Sequence, residues 1–244
     1  MYWVFEAFVI AHVICGATGL VIFWVPVLTR KGNPRHKLWG KYFAWSMLAT
    51  GTAAMGMGTC TLLAPVATHP TSPLLPDIAL IRGLFGWMMV YLAILTVGLA
   101  WHGLMTIRNK ADHAANRTWF NVGLQVVTII AALNCAIQGW LIGQNLMIGV
   151  AMLGLASAGL YLHFIYSDKP ARLEFLMQHL QASLGAGISV YTAFLAFGAV
   201  RLMPSQAFNP TMWAIPSVVG ISLMIFYRMK YTKPWVRKPA TEKV

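Results

Sequence analysis

Of the 244 residues, 58% are hydrophobic and only 10% are charged, against roughly 25% charged in an ordinary soluble domain, so this composition excludes a solvated globular surface. Apolar runs of about 20 residues, the length of a transmembrane helix, recur along the whole chain; the short alternating segments of a membrane barrel are absent. The net charge of +12 does not point to nucleic acid, because 16 of the 18 Lys and Arg fall in segments that the topology below assigns to the cytoplasm, the asymmetry expected of a membrane protein.

Taken in order, span 1 covers about residues 3–28, and its start "MYWVFEAF" has neither a basic leader nor a small-residue cleavage site, so it reads as a retained helix. The basic loop "RKGNPRHKLWGK" at residues 30–41 follows and carries five Lys/Arg and one His. Span 2 is about 38–64, and a Pro-rich connection without Lys or Arg leads to span 3 at about 78–107. The basic loop "RNKADHAANR" precedes span 4 at about 118–142, and a short uncharged turn leads to span 5 at about 146–166. The charged loop "SDKPARLE" precedes span 6 at about 175–202, and span 7 runs from about 212 to 229 before a basic tail.

Lys/Arg content therefore alternates between rich and poor from one connection to the next. The expectation is an all-α polytopic protein of seven transmembrane helices, with the N-terminus outside and the C-terminus cytoplasmic. Residues 1–230 form one membrane domain and 231–244 a basic cytoplasmic tail. The location that fits is the bacterial inner membrane, with anionic lipids of the inner leaflet as neighbours. Cys15, Cys60 and Cys135 each lie inside an apolar run and read as packing residues. Small residues crowd spans 2, 5 and 6; they let helices approach one another closely, within the chain or against another membrane subunit.

Ionisable side chains inside a membrane are costly and mark candidate sites. His12, His102, His163 and His179 lie within spans, while His36 and His113 lie in the cytoplasmic loops. At about 1.5 Å per helical residue, His102, His163 and His179 sit roughly 7–9 Å inside the inner boundary. Two imidazoles from different helices at one level suit the axial positions of haem b, and three suit a divalent metal. The competing reading is that each ring bonds the backbone of a neighbouring helix. On the outer side Glu6, Asp77, Arg82 and Arg201 form a second charged set, read either as orientation anchors or as the rim of a headgroup or quinone pocket near His12. No nucleophile constellation, HExxH, phosphate loop or dinucleotide motif is present.

"HVICG", with His12 and Gly16, and "RHKLWGKYF", with His36, Lys37, Gly40 and Phe43, together with "NRTWFNVG" and the run from His179 to "YTAF", resemble a family of bacterial inner-membrane proteins defined by a domain of unknown function. The resemblance covers about two-thirds of the chain and implies a recurring histidine set without an assigned reaction. Where relatives carry His before the Trp, this chain has Asn116-Arg117.

The functional expectation is a redox or electron-transfer protein holding haem b or a divalent metal on His102 and His179, with His163 as the substitute or third ligand and His36 and His113 beside them. The alternatives are a non-catalytic subunit that scaffolds a larger complex through spans 2 and 5, and a carrier for a small lipophilic solute.

Overall fold

The structure, a computed structural model, describes residues 1–171, 173–198 and 210–236. Among these residues every regular element is a helix and none is a strand. Helix α1 (Tyr2–Ile22) turns at Phe23 and continues as α2 (Trp24–Leu28). The break has a covalent cause: Pro26 lacks an N–H, and its ring clashes with the carbonyl four residues earlier. Helix α3 (Pro34–Leu63) follows, then the short α4 (Pro65–Thr68). The third long rod is composite: α5 (Ile78–Ile81), a π-helical segment (Arg82–Trp87) and α6 (Met88–Arg108). After a 3-10 turn (His113–Asn116) come α7 (Trp119–Leu141), α8 (Asn145–Tyr166) and α9 (Glu174–Ala193), the last prolonged by a second π-helical segment (Phe194–Gly198). Helix α10 (Pro210–Val236) carries on seven residues beyond Met229, where the sequence suggests a tail.

Local chemistry sets several helix starts. Asn33 caps α3 by accepting from the His36 amide at 2.6 Å, with Pro34 at the first helical position. Thr118 caps α7 by accepting from the Asn121 amide at 3.2 Å, and Asp77 caps α5 through the Leu80 amide at 2.9 Å. Gly143, at φ +68°, makes the tight turn from α7 into α8 in a conformation that side chains disfavour.

Helix α6 is the central post. Helices α3, α7 and α9 pack on it, α1 lies outside α3, α8 outside α7, and α10 outside α9. The α3–α6 seam is close because it is built from glycine: a Cβ on Gly51 would stand 2.7 Å from a Val97 methyl, and one on Gly58 2.7 Å from a Val90 methyl. The small-residue face of span 2 is thus spent on α6. Helix α8 divides its glycines: Gly154 is filled by the Tyr91 ring, while Gly149 and Gly159 face open space.

Six of the rods are long and apolar enough to cross a membrane: Tyr2–Leu28, Ile78–Arg108, Trp119–Leu141, Asn145–Tyr166, Glu174–Gly198 and Thr211–Thr232. The chain thus has the architecture of a multi-pass membrane protein. Helix α3, 30 residues long, is not among the six; it carries Arg35, Lys37 and Lys41 near its start and Gly and Thr through its middle.

Candidate functional site

The rods carry most of their basic residues at one end, here called the basic end, and His36, His102, His113, His163 and His179 lie toward it. His102, on α6, is 1% exposed and lies flat on the Tyr161 ring of α8, with ring centres 3.9 Å apart and planes 14° apart. Its Nε2 is 3.2 Å from Oε1 of Gln178, whose Nε2 donates to Glu174 Oε1 at 3.0 Å. The carboxylate accepts, so it fixes which way the Gln178 amide points. Oε1 must then accept from His102, which places the imidazole proton on Nε2. His102 Nδ1 is left as a bare lone pair, buried and without a partner. A buried polar atom left unmade costs about 1–3 kcal/mol.

His179 has the opposite arrangement one residue further along α9. Its Nδ1 donates to the carbonyl of Gly103, which follows His102, at 2.8 Å. Two adjacent residues on each helix therefore lace α6 to α9. The ring centre of His36 lies 6.3 Å from that of His179 at 84°, and its Nδ1 donates to the Pro26 carbonyl at 3.0 Å. Lys31 reaches the same place: its Nζ donates to the carbonyls of Pro26 and Val27, each at 2.7 Å, and stands 4.4 Å from the centre of the Tyr227 ring. Tyr227 itself donates to the Val27 carbonyl at 2.7 Å. Burial, together with the positive charge of Lys230, pushes the Lys31 ammonium down to about 8.

The other expected histidines lie elsewhere. His163 is on the exposed face of α8, whereas Tyr161 and Phe164 of the same helix turn toward His102. His113 sits between Phe164 and Phe175, at 4.8 and 5.5 Å, with both ring nitrogens buried and unpartnered. His12 donates through Nδ1 to the Thr50 carbonyl at 3.1 Å and clips α1 to α3. Among the described residues no three of His, Cys, Asp and Glu come together at metal-binding distance. His102 and His179 lie on directly packed helices, and a porphyrin between them would have to part α6 from α9.

At the far end Glu6 is half-buried, Asp77 is engaged as the α5 cap, and Arg82 is exposed; among the described residues no ion pair joins them. Arg201 lies outside the described residues. The histidine that matters there is His69, which the sequence places in a loop. It packs on Phe85 at 4.9 Å and Phe5 at 5.4 Å. Phe85 belongs to the first π-helical segment and meets Phe197 of the second at 6.3 Å. No sequence pattern announces a π-helical segment, so this pairing could not be foreseen.

Beside the histidine node an open cleft of about 470 Å³ runs between the end of α6 and the first turn of α9, lined by Ile107, Lys110, Ala111, Phe175 and Leu176. Its walls are apolar, its rim carries one ammonium, and Glu174 adjoins Phe175 in the chain. An arrangement of this kind can hold an amphiphilic or carbonyl-bearing molecule. Compared with family models, curated proteins and solved structures, the chain matches none of them significantly.

Proposed function

We propose that the chain is a bacterial inner-membrane protein of seven spans, with α3 as the second, its N-terminus outside and its basic end cytoplasmic. Within that reading it binds a lipophilic, carbonyl-bearing ligand of quinone type in the cleft between α6 and α9 and serves redox chemistry there. The observation that carries the reading is the hydrogen-bonded series from His102 through Gln178 to Glu174, next to an apolar cleft. A quinone head needs a flat apolar wall and donors for its carbonyl oxygens; Phe175 and the Lys110 ammonium supply these. Reduction of a quinone takes up protons as well as electrons, and the electrons would come from a separate reduced flavin or haem protein, since the described residues supply no electron donor. His102, with its open Nδ1, and Glu174 are the groups able to hold the protons, while Gln178 keeps the two in register.

The test is binding of a ubiquinone analogue to the purified protein in neutral detergent, read by quenching of tryptophan fluorescence. Saturable binding that weakens at least tenfold in Leu176→Trp, which fills the cleft, supports the reading; equal binding by that variant sinks it. The absorption spectrum and metal content of the same sample test haem b and a divalent metal. A reduced b-type band lost in both His102→Ala and His179→Ala would place a haem on those residues.

A second reading has its own observation. Gly149 and Gly159 leave notches on the outer face of α8, suited to a helix of another membrane subunit. Co-purification of a partner in mild detergent, lost in Gly159→Leu, would favour it; a monodisperse monomer would not.

A further inference from the structure

The strongest electrostatic feature lies apart from the cleft, where α2, α3, α9 and α10 meet. Lys31, His36, His179 and Lys230 converge there. Lys31 and His36 share the Pro26 carbonyl, the ring centres of His36 and His179 lie 6.3 Å apart, and Lys230 is near enough to Lys31 for their positive charges to oppose one another. Tyr227 and Tyr231 are stacked at 6.1 Å beside the cluster, and Arg30, Arg35, Lys37 and Arg228 neighbour it in the chain. Among the described residues none of the four basic groups is paired with a carboxylate. Of the described carboxylates, Asp168 is taken by Arg117 at 3.2 Å, Glu174 accepts from Gln178, Asp112 is exposed in the connection between α6 and α7, and Glu6 and Asp77 belong to the far end. Burial holds the His36 imidazole below its usual value, so the positive charge here is that of Lys31 and Lys230, whose mutual repulsion partly buried surroundings strengthen.

The cluster is also built and not merely crowded. Lys31 spends two of its three hydrogens on Pro26 and Val27, and Tyr227 holds its stem from the side. His36 and His179 each donate Nδ1–H to a carbonyl, so each Nε2 carries a proton for an anion to accept only in the imidazolium form. Lys230 is exposed and free to swing, with its Nζ 5.8 Å from the centre of the Phe226 ring. This arrangement suits an anion, and its surroundings are the ends of membrane rods faced by Phe226, Tyr227 and Tyr231.

We propose that Lys31, Lys230, His36 and His179 form a site for the phosphate group of an anionic phospholipid from the leaflet at the basic end. The lipid phosphate supplies the absent negative charge, accepts the third hydrogen of Lys31, and lets its acyl chains lie along α10. By tying α10 to α2 and α3 it also joins the two edges of the bundle. This site is independent of the quinone reading, since none of its residues lines the cleft.

The full chain, delipidated in neutral detergent, is titrated with phosphatidylglycerol or phosphatidylcholine, and bound lipid is counted by native mass spectrometry. Phosphatidylglycerol should be retained at least tenfold more strongly than phosphatidylcholine. Lys230→Gln, at an exposed position that leaves the fold intact, should erase most of that preference, and His36→Gln part of it. Lys31 carries its proton below about 8, so the preference should hold at neutral pH and fall as pH rises beyond that value. Equal retention of the two lipids, or an unchanged preference in Lys230→Gln, overturns the site. Displacement of phosphatidylglycerol by millimolar inorganic phosphate, with no return on adding more lipid, reassigns it to free phosphate and overturns the lipid assignment.

Discussion

The two ends of the bundle solve the same problem with different chemistry. At the basic end, rods finish inside packed structure and their last carbonyls are taken by side chains. Lys31 and His36 serve Pro26, Lys31 and Tyr227 serve Val27, and Arg117 serves Ile165 and Tyr166 from 3.1 and 3.3 Å. At the far end Arg82 is exposed, Asp77 is used on a helix start and Glu6 is half-buried, and the interior is closed by aromatic rings around His69. A basic side chain at a helix C-terminus meets both unpaired carbonyls and the negative end of the helix dipole. Basic residues of this end thus finish helices, α2 through Lys31 and His36 and α8 through Arg117.

The seam joining the two ends is the place to break both at once. Gly51→Leu or Gly58→Leu should push α3 off α6. Overpacking of a tight core costs about 1–3 kcal/mol per site, and more where backbone must shift. Gly159→Leu, in open space, is the control. Size-exclusion profiles should show aggregation for the first two variants and a monodisperse species for the third; a well-behaved Gly51→Leu protein would mean the seam is not as close as described.

A subtler contrast sets His102 against His69. Replacing His102 with Phe strands Gln178 Oε1 in a buried site and should cost about 1–3 kcal/mol. The pair His102→Phe with Gln178→Leu should recover part of that loss, because the stranded amide oxygen is then gone, while the partly buried Glu174 carboxylate loses one bond. His69→Phe keeps the ring contacts with Phe5 and Phe85 and should change the unfolding midpoint far less. A His102→Phe protein with unchanged thermal stability would show that the hydrogen bond contributes nothing.

The arginines give the next step down. Arg117→Met loses its bonds to α8 and the pair with Asp168; its side chain is 38% exposed, so solvent screens much of the effect and about 1 kcal/mol is expected. Arg82→Met at the far end should be silent. Equal losses for the two would erase the distinction between the ends.

The smallest effect is on pH dependence. Lys31 is held to about 8, below the 10.5 of a free lysine. Between those values the unfolded chain binds the extra proton and the folded chain does not, so stability should rise with pH across that window. Lys31→Gln should flatten the slope. A wild-type midpoint that falls as pH rises from 8 to 10.5 would contradict the assignment.

Much of the rod pattern was legible because membrane-length apolar runs leave little choice of structure. Span 1 at 3–28 corresponds to Tyr2–Leu28, and span 4 at 118–142 to Trp119–Leu141. Of the histidine node, the common depth of His102 and His179 was legible, since depth follows from counting residues along a helix. Facing was not. His163 shares that depth and turns outward, because only the packing of Tyr161 and Phe164 fixes the rotation of α8. His36 reads as a loop residue, yet the turn at Phe23 and the cap at Asn33 bring it beside His179.

By itself the sequence determined the all-helical class, the long apolar rods and the clustering of basic residues at their ends, because hydropathy and charge act locally along the chain. Tertiary structure alone decided which helix stands at the centre, which glycines are spent inside and which ring nitrogens keep an open lone pair. It also decided that Lys31, His36, His179 and Lys230 share one place, since these outcomes depend on rotations and contacts between segments nearly 200 residues apart.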